Sequence, residues 1–293
     1  MRGQPFTATC RQLADLVRPS VADLHAHTTA SDGDYTPSQI VALAKQKRLS
    51  AVAISDHDTL AGVPDAIEAA RSLGVRVVPA VEVSTELDGR EFHLLAYHVP
   101  LDSPLINRWF AEVCERRRER FDCFVAELAK DAIAFEPWRI EQIKARSVSL
   151  GRRHVAGLLM NSGLSKTRFE AFRSYILPLK DRVPKSHLTP IAETFAKLNA
   201  VGAVASLAHP SEGIDRETIG RLKRLGLQAL EVNFPASTKS RTVELRKFAQ
   251  EFDLAVTGGS DCHGPEPASR TVGTFGISAT EFDALNRLVG PSG

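Results

Sequence analysis

Two histidines, His25 and His27, close an apolar run in the stretch DLHAHTTASDGDYTP, which begins at Asp23. Side chains at i and i+2 of a strand face the same way. With Val21–His27 as a strand, both imidazoles are aimed at one point, where they bind a metal ion or share a proton. Similar residues recur wherever a β-rich run ends. SDHD carries Asp56, His57 and Asp58, VEVS carries Glu82, EFHLLAYHV carries His93, AHP carries His209, and GGSDCHG carries Asp261 and His263. Asp32 lies in the loop after the first run. Taken singly, His57, His93 or His209 is an ordinary capping or core histidine, Asp32 a turn residue, and Glu82 an awkward polar group in an apolar run. Asp261 and His263 say more, because they share a face and follow Gly258-Gly259. Together, in a chain with nine histidines in all, the set describes a polynuclear metal site. Its His, Asp and Glu side chains exceed the needs of one ion and supply three, with Glu82 as a bridge. Mixed imidazole and carboxylate donors suit Mn²⁺, Zn²⁺ or Fe²⁺ rather than Ca²⁺. Proton sharing lacks a partner, since no G-x-S-x-G nucleophile is present. Cys262 lies between two residues that share a face, so alternation turns it away as a packed thiol.

The elements that must position these groups follow a β–α rhythm. VADL precedes a helix near Pro37–Lys47, with Pro37 at a first helical position. AVAIS (51–55) precedes a helix near Val63–Ser72. VRVVPAVEVS (75–84) and EFHLLAYHV (91–99) follow each other across ELDGR, with Asp88-Gly89 as the turn. From about Pro100 to Leu188 the pattern is mostly helical and charged. The rhythm resumes with AVASLAH (203–209), a helix near Asp215–Leu225, LQALEV (227–232), a helix near Thr238–Glu251 and LAVTGG (254–259). Strands alternating with helices argue for parallel βαβ units, and seven of them approach a barrel, in which functional groups sit where strands end. The expected organisation is a metal-binding barrel over residues 20–100 and 200–290, with a helical insertion over 101–199 serving as a lid for substrate.

Of the 293 residues, 43% are apolar and 25% charged, and the formal net charge is +2. This size holds one large α/β domain, or one domain with an insertion. The charge balance excludes a polycation, so anion binding must come from local clusters. Cys10, Cys114, Cys123 and Cys262 form no CxxC pair, which points to a reducing compartment. No apolar stretch approaches the roughly 20 residues of a membrane span. Arg11, Asp15 and Arg18 interrupt the segment where a signal-peptide core would lie. The expectation is a soluble cytoplasmic protein without membrane association.

The ordered motifs DLHAH, SDG, DHD, VEVS, HLLAY, AHP and GGSDCHG resemble the PHP (polymerase and histidinol phosphatase) family over roughly residues 20–100 and 200–265. The resemblance implies a distorted (β/α)7 barrel with three divalent metal ions at its C-terminal rim, Mn²⁺ foremost, that hydrolyses phosphate esters with a metal-bound hydroxide. By the family pattern, one ion takes His25, His27, Glu82 and Asp261. A second shares Glu82 and takes His93 and His209, and a third takes Asp32, His57 and His263. GRRHVAGLLMNSGLS and HLTPIAETFAKLNAVGAVASLAHP resemble the branch containing 3′,5′-nucleoside bisphosphate phosphatases and 5′→3′ exoribonucleases of short RNA. Two stretches depart from that branch. Asn233 and Ser237 stand where many relatives have Tyr and His, and LKDRVPKS (179–186) replaces a Gly-rich form.

The insertion carries the candidate substrate contacts. CERRRERF (114–121) brings Arg116, Arg117 and Arg120 onto one helix edge. GRRH (151–154) opens a helix with Arg152 and His154, and helix N-termini and Arg forks suit phosphate oxygens. Lys180 and Arg182 are further cations. Asp58 is the candidate proton donor to the leaving oxygen. The expected substrate is a small nucleotide or short 5′-phosphorylated RNA rather than duplex DNA, which would need an extended basic face. Histidinol-phosphate hydrolysis is the alternative reaction, and a metal-stabilised scaffold without activity is the alternative class.

Overall fold

The computed structural model describes residues 20–289. Cys10 and the charged N-terminal stretch discussed above lie outside them. All seven expected strands form: β1 (Ala22–Asp23), β2 (Ala51–Ile54), β3 (Arg76–Leu87), β4 (Arg90–Tyr97), β6 (Val204–Leu207), β7 (Ala229–Asn233) and β8 (Ala255–Gly258). A short unforeseen strand, β5 (Thr189–Pro190), pairs with β3 at Thr85 and Glu86. The sheet order is β1-β2-β3-β4-β6-β7-β8. The ring closes where the Leu24 N–H donates to the Gly258 carbonyl at 3.1 Å and Ala26 bridges Cys262. Gly259 makes that seam possible, because a Cβ there would lie 2.3 Å from the His25 nitrogen.

One strand departs from the parallel expectation. β4 runs against both β3 and β6. Asp88 and Gly89 both have positive φ, 53° and 74°, the backbone of a two-residue hairpin turn that matches strand twist. The reversal has a consequence for chemistry. His93 lies near the start of β4, and in a reversed strand the start is what reaches the rim where the other strands end.

Helices cover the outside. α1 (Pro37–Gln46) is capped by Thr36 in a reciprocal pair with Gln39, and α2 (Val63–Ala70) starts with Pro64 in its first turn. Between β4 and β6 come α3 (Pro104–Lys130), α4 (Pro137–Arg146), α5 (Arg152–Asn161), α6 (Arg168–Ala171), a π-helical turn (Phe172–Ile176) and α7 (Ile191–Asn199). α8 (Arg216–Leu225), α9 (Lys239–Glu251) and α10 (Ala279–Asn286) are capped by Asp215, Thr238 and Ser278. The long α3 belongs to two cores. Ile106, Trp109, Phe110 and Val113 pack on the barrel, as do Ile191, Phe195 and Leu198 of α7. Phe121, Phe124 and Leu128 pack instead with Val155, Leu159, Ile176 and Val183 in a separate helical cluster.

Alternation along the strands sorts the barrel side chains into two layers. Val52, Ile54, Val81, Val83, Leu94 and Leu230 face outward under the helices. Ala51, Ala53, Val78, Ala80, Leu95, Tyr97, Val204 and Ala229 face inward, with Phe282 and Leu285 of α10. The Tyr97 hydroxyl crosses the interior from β4 to donate to the Leu24 carbonyl at 3.2 Å. One step further along the inward faces come Glu82, His93 and Glu231. The polar rim is thus the top layer of an apolar barrel filling, and small residues leave room beneath it. Leu95, opposite Glu82 in the β3–β4 register and two residues along the same face from His93, is fully buried. Leu95→Ala is expected to destabilise the fold by about 2–5 kcal/mol. The check is the denaturation midpoint at unchanged denaturant sensitivity, and a shift under about 0.5 kcal/mol, the surface-substitution range, would place Leu95 outside the packed filling.

Candidate metal centre

Glu82 is the hub of the rim. One of its oxygens lies 3.3 Å from His25 Nε2, 3.2 Å from His27 Nε2 and 3.2 Å from His57 Nδ1. The other lies 2.9 Å from His93 Nδ1 and 2.7 Å from His209 Nε2. Asp261 Oδ1 stands 3.6, 3.4 and 3.4 Å from His25, His27 and His263. Asp32 Oδ1 stands 3.3 Å from His263 Nε2. The nine residues expected as ligands therefore converge. They form four overlapping groups with ligand atoms within 4.8 Å of one another: His27–Asp32–His57–His263, His25–His27–Asp261, His25–Glu82–His209 and His57–Glu82–His93. His57 bridges two groups, and His93 and His209 fall in different ones, so the arrangement is more interleaved than three separate sets.

The donor set fits cations better than protons. His25 Nε2 and His27 Nε2 face each other at 3.2 Å, where at most one can donate. His27 Nδ1 and Asp32 Oδ1 are buried without a hydrogen-bond partner, each costing about 1–3 kcal/mol if left so. Burial opposes charge on Glu82, yet the neighbouring imidazoles, His57 foremost, hold it well below the usual carboxylate range. Burial drives His57 well below the usual imidazole range. His93, despite burial, is pushed up to about 10 by Glu82 and Glu91. Neighbouring rings with opposed proton affinities, with lone pairs directed at common points, are what a polynuclear site looks like without its ions.

Other side chains hold these ligands, and of them Glu231 and Asp23 were not singled out in the sequence. Glu231, fully buried, lies 3.1 Å from His25 Nδ1 and accepts the His209 backbone N–H at 2.6 Å. Its signature, one carboxylate in the apolar run LQALEV, is the one that singled out Glu82. Asp56 accepts from the backbone N–H and hydroxyl groups of both Thr28 and Ser31, which anchors the loop that delivers Asp32. Asp23 accepts the N–H groups of His25, Ser260 and Gly273 and staples the barrel seam, and burial raises its pKa to about 6. Asp58, His209 and Asp261 all adopt left-handed backbone, with φ of 51°, 27° and 50°. Non-glycine residues hold that conformation at a cost that clusters at functional sites.

The PHP domain profile matches residues 23–200, more than half the chain. This chain belongs to the PHP family. It is 31% identical over 258 residues to the 5′-3′ exoribonuclease Rnm of Escherichia coli, covering 84% of this chain and 86% of that protein. It is 28% identical to the 3′,5′-nucleoside bisphosphate phosphatase of Chromobacterium violaceum, covering 86% and 90%. A Bifidobacterium adolescentis crystal structure described as a metal-dependent phosphoesterase superposes with a TM-score of 0.84 at 28% identity, covering 92% and 96%. The chain is a metal-dependent hydrolase of phosphate esters, which removes the inactive-scaffold alternative. No helix among the described residues is long and apolar enough to cross a membrane.

Beside the PHP rim lies a cavity of about 160 Å³ whose walls include Asp32, His57, His93 and His263 together with Arg117, Arg120, Arg152, Arg153 and His187. Arg117 is buried and committed. It donates to Asp58 at 2.6 Å, to Ser84 Oγ at 2.6 Å and to the Leu150 carbonyl at 3.0 Å. Asp58 is fully buried, and its second oxygen accepts the Ser84 N–H at 2.8 Å. Arg120 donates to the Pro184 carbonyl, so the divergent 179–186 segment positions it, and burial lowers its pKa to about 10. Arg152 lies 3.6 Å from Glu91. His187 is 2% exposed with Nδ1 unpartnered, and burial, then Arg117 and Arg120, lower its pKa to about 2. Arg116, Lys180 and His154 do not line this cavity. Arg116 is half-buried and Lys180 exposed. His154 accepts the Gly151 N–H through Nδ1 and lines an adjacent cavity with Arg146 and Arg168. Asn233 and Ser237 are occupied structurally, bonding the Gly276 carbonyl and the Thr242 hydroxyl.

Glu231 offers the clearest test of ligand positioning. Glu231→Gln removes the charge that holds the outer nitrogen of His25. Loss of such partners weakens metal binding about 10–100-fold, and calorimetric Mn²⁺ titration should read that loss. Unaltered affinity would mean that the ring is held by packing alone.

Proposed function

We propose that the rim holds three divalent ions, Mn²⁺ foremost with Zn²⁺ or Fe²⁺ as alternatives, and that the enzyme acts on nucleotides carrying two phosphates. The substrates are 3′,5′-nucleoside bisphosphates, converted to 5′-monophosphates, and short 5′-phosphorylated RNA trimmed from its 5′ end. In both, the bond between phosphorus and the 3′-oxygen breaks, and water supplies the new oxygen and the proton. The single observation that carries this reading is the shared cavity. Ligand histidines and guanidinium groups line it together, so one phosphate meets the reacting centre while a second, uncleaved, meets fixed cations. The names of the Escherichia coli and Chromobacterium violaceum relatives support the same substrate class.

Within this reading the residues divide by their contacts. Ions held by the nine rim side chains would supply an activated water and neutralise phosphate charge. Arg120, Arg152 and Arg153 bind the uncleaved phosphate, with forks suited to its oxygens. His187, neutral and unpartnered at Nδ1, offers one further hydrogen bond. Asp58 is a positioning residue. Both its oxygens are engaged inside the fold, one by Arg117 and one by Ser84, so neither is open to carry a proton to a leaving group. The helical cluster spanning residues 121–183 serves as a lid, bringing Arg152 and Arg153 to the substrate site. An enclosed pocket of this kind admits a small nucleotide or a single-strand end rather than a duplex.

Binding energy from the uncleaved phosphate should position the scissile ester. Arg152→Ala removes a charge-assisted contact of roughly 1.5–3 kcal/mol, or about 10–150-fold in kcat/KM on a 3′,5′-bisphosphate. Hydrolysis of p-nitrophenyl phosphate, which never makes the contact, should change little. Equal losses on both would assign Arg152 to the metal site through Glu91. Faster turnover of histidinol phosphate than of either nucleotide would overturn the substrate class.

A further inference from the structure

A second cavity, of about 260 Å³, opens on the other side of the reacting centre. His93 and His209 line its floor, and its walls are the apolar side chains of Phe92, Leu207, Pro210 and Ile214, with Ser211 at the mouth. Glu91 and His93 line both this cavity and the guanidinium cavity, so the two flank the same pair of residues. Their chemistry is opposite. The first is lined by arginines, whereas the second has no lysine or arginine among its lining residues and one carboxylate, Glu91. Its apolar walls suit an uncharged, flat group. At its rim the exposed Arg90 stacks over the Phe92 ring, 5.6 Å from its centroid, and its guanidinium lies beside Gly213.

We propose that this apolar cavity is the downstream subsite for RNA, taking the first nucleoside on the 3′ side of the scissile phosphate, which stays bonded to phosphorus through its 5′-oxygen while the 5′-terminal nucleotide leaves, with Arg90 meeting the next phosphate. The inference rests on the nucleotide reading above and refines it. A 3′,5′-bisphosphate ends at the scissile phosphate and leaves this cavity empty. An oligonucleotide continues past that phosphate, and this cavity gives it a side on which to continue, because the guanidinium side is taken by the uncleaved 5′-phosphate. The cavity therefore sets the preference for oligonucleotide over mononucleotide without touching the shared chemistry.

The test is a ratio, kcat/KM for a 5′-phosphorylated trinucleotide over that for a 3′,5′-bisphosphate, measured on the Mn²⁺-loaded enzyme. Ser211 is exposed, so Ser211→Trp fills the mouth without disturbing the core. It should lower the ratio roughly 5–150-fold, the range for losing one stacked base. Arg90→Ala, a second surface variant, should lower the ratio through KM, with a smaller loss on a dinucleotide than on the trinucleotide. An unchanged ratio in both variants overturns the subsite and leaves the nucleotide reading intact. Equal slowing on both substrates overturns it too, assigning the cavity to the nucleotide that is released. A wild-type enzyme that hydrolyses p-nitrophenyl phosphate and neither nucleotide overturns subsite and reading together.

Discussion

Everything at the rim depends on one electrostatic problem, a buried carboxylate surrounded by imidazoles. Glu82 is 1% exposed and within 3.3 Å of five histidines. Protons satisfy that cluster poorly. The carboxylates Glu82, Glu231 and Asp261 favour charging both His25 and His27, but the facing nitrogens of the two rings are 3.2 Å apart, a mutual repulsion of about 5 kcal/mol at an effective dielectric of about 20. Leaving all the rings neutral strands the buried Glu82 and Glu231 charges without counter-charge. Divalent cations solve both halves at once, because neutral imidazoles and ionised carboxylates are the forms that ligate. The packing of rings, with centroids 4.0 Å apart for His27–His263 and 4.6 Å for His27–His57, then becomes an asset, since the lone pairs are already oriented.

The barrel explains how one chain assembles such a cluster. Strand alternation gives each strand one inward column of side chains, and small residues such as Ala53, Ala80 and Ala229 fill the lower layers. The top of each column emerges at the rim with no apolar partner above it. A polar residue there costs no core packing, and its backbone is fixed by the ladder below. β4 shows that strand direction is secondary to this rule. It contributes His93 from its beginning, because only the height in the column matters. Carboxylates one layer further out, Glu231 and Asp56, fix ring and loop orientation, so the precision of the ligands is inherited from hydrogen bonds made well inside the fold.

This is why the strand ends could be read from the sequence and much of the lid could not. Glu82, His93, Asp261 and their partners announce themselves as polar interruptions of apolar runs, and Asp88-Gly89 announces the hairpin. Glu231 carried the same mark. The arginine run at 114–121 was harder, although part of its answer lay in the helix period. Ile106, Phe110, Val113, Phe121, Phe124 and Leu128 define the buried stripe of α3, and Arg117 and Arg120 fall in it whereas Arg118 does not. Their different fates were not readable. Arg117 is claimed by Asp58 from far back in the chain, and Arg120 is placed by Pro184 from far ahead. His187 had no local signal. Its burial and its arginine neighbours exist only once β5 docks on β3 and carries the preceding loop over the rim.

Glu91 is the point at which the two halves meet. It lies 3.4 Å from His93 Nε2, on the ring edge away from Glu82, and 3.6 Å from Arg152. One carboxylate thus orients a ligand of the centre and holds a cation of the lid. On the proposed reading, an arginine that turns toward a phosphate loosens this pairing, and Glu91 is then left to His93 alone, where its negative charge makes the imidazole a stronger donor. Under the proposed function, Glu91 is the side chain through which substrate recognition would reach the ligand set.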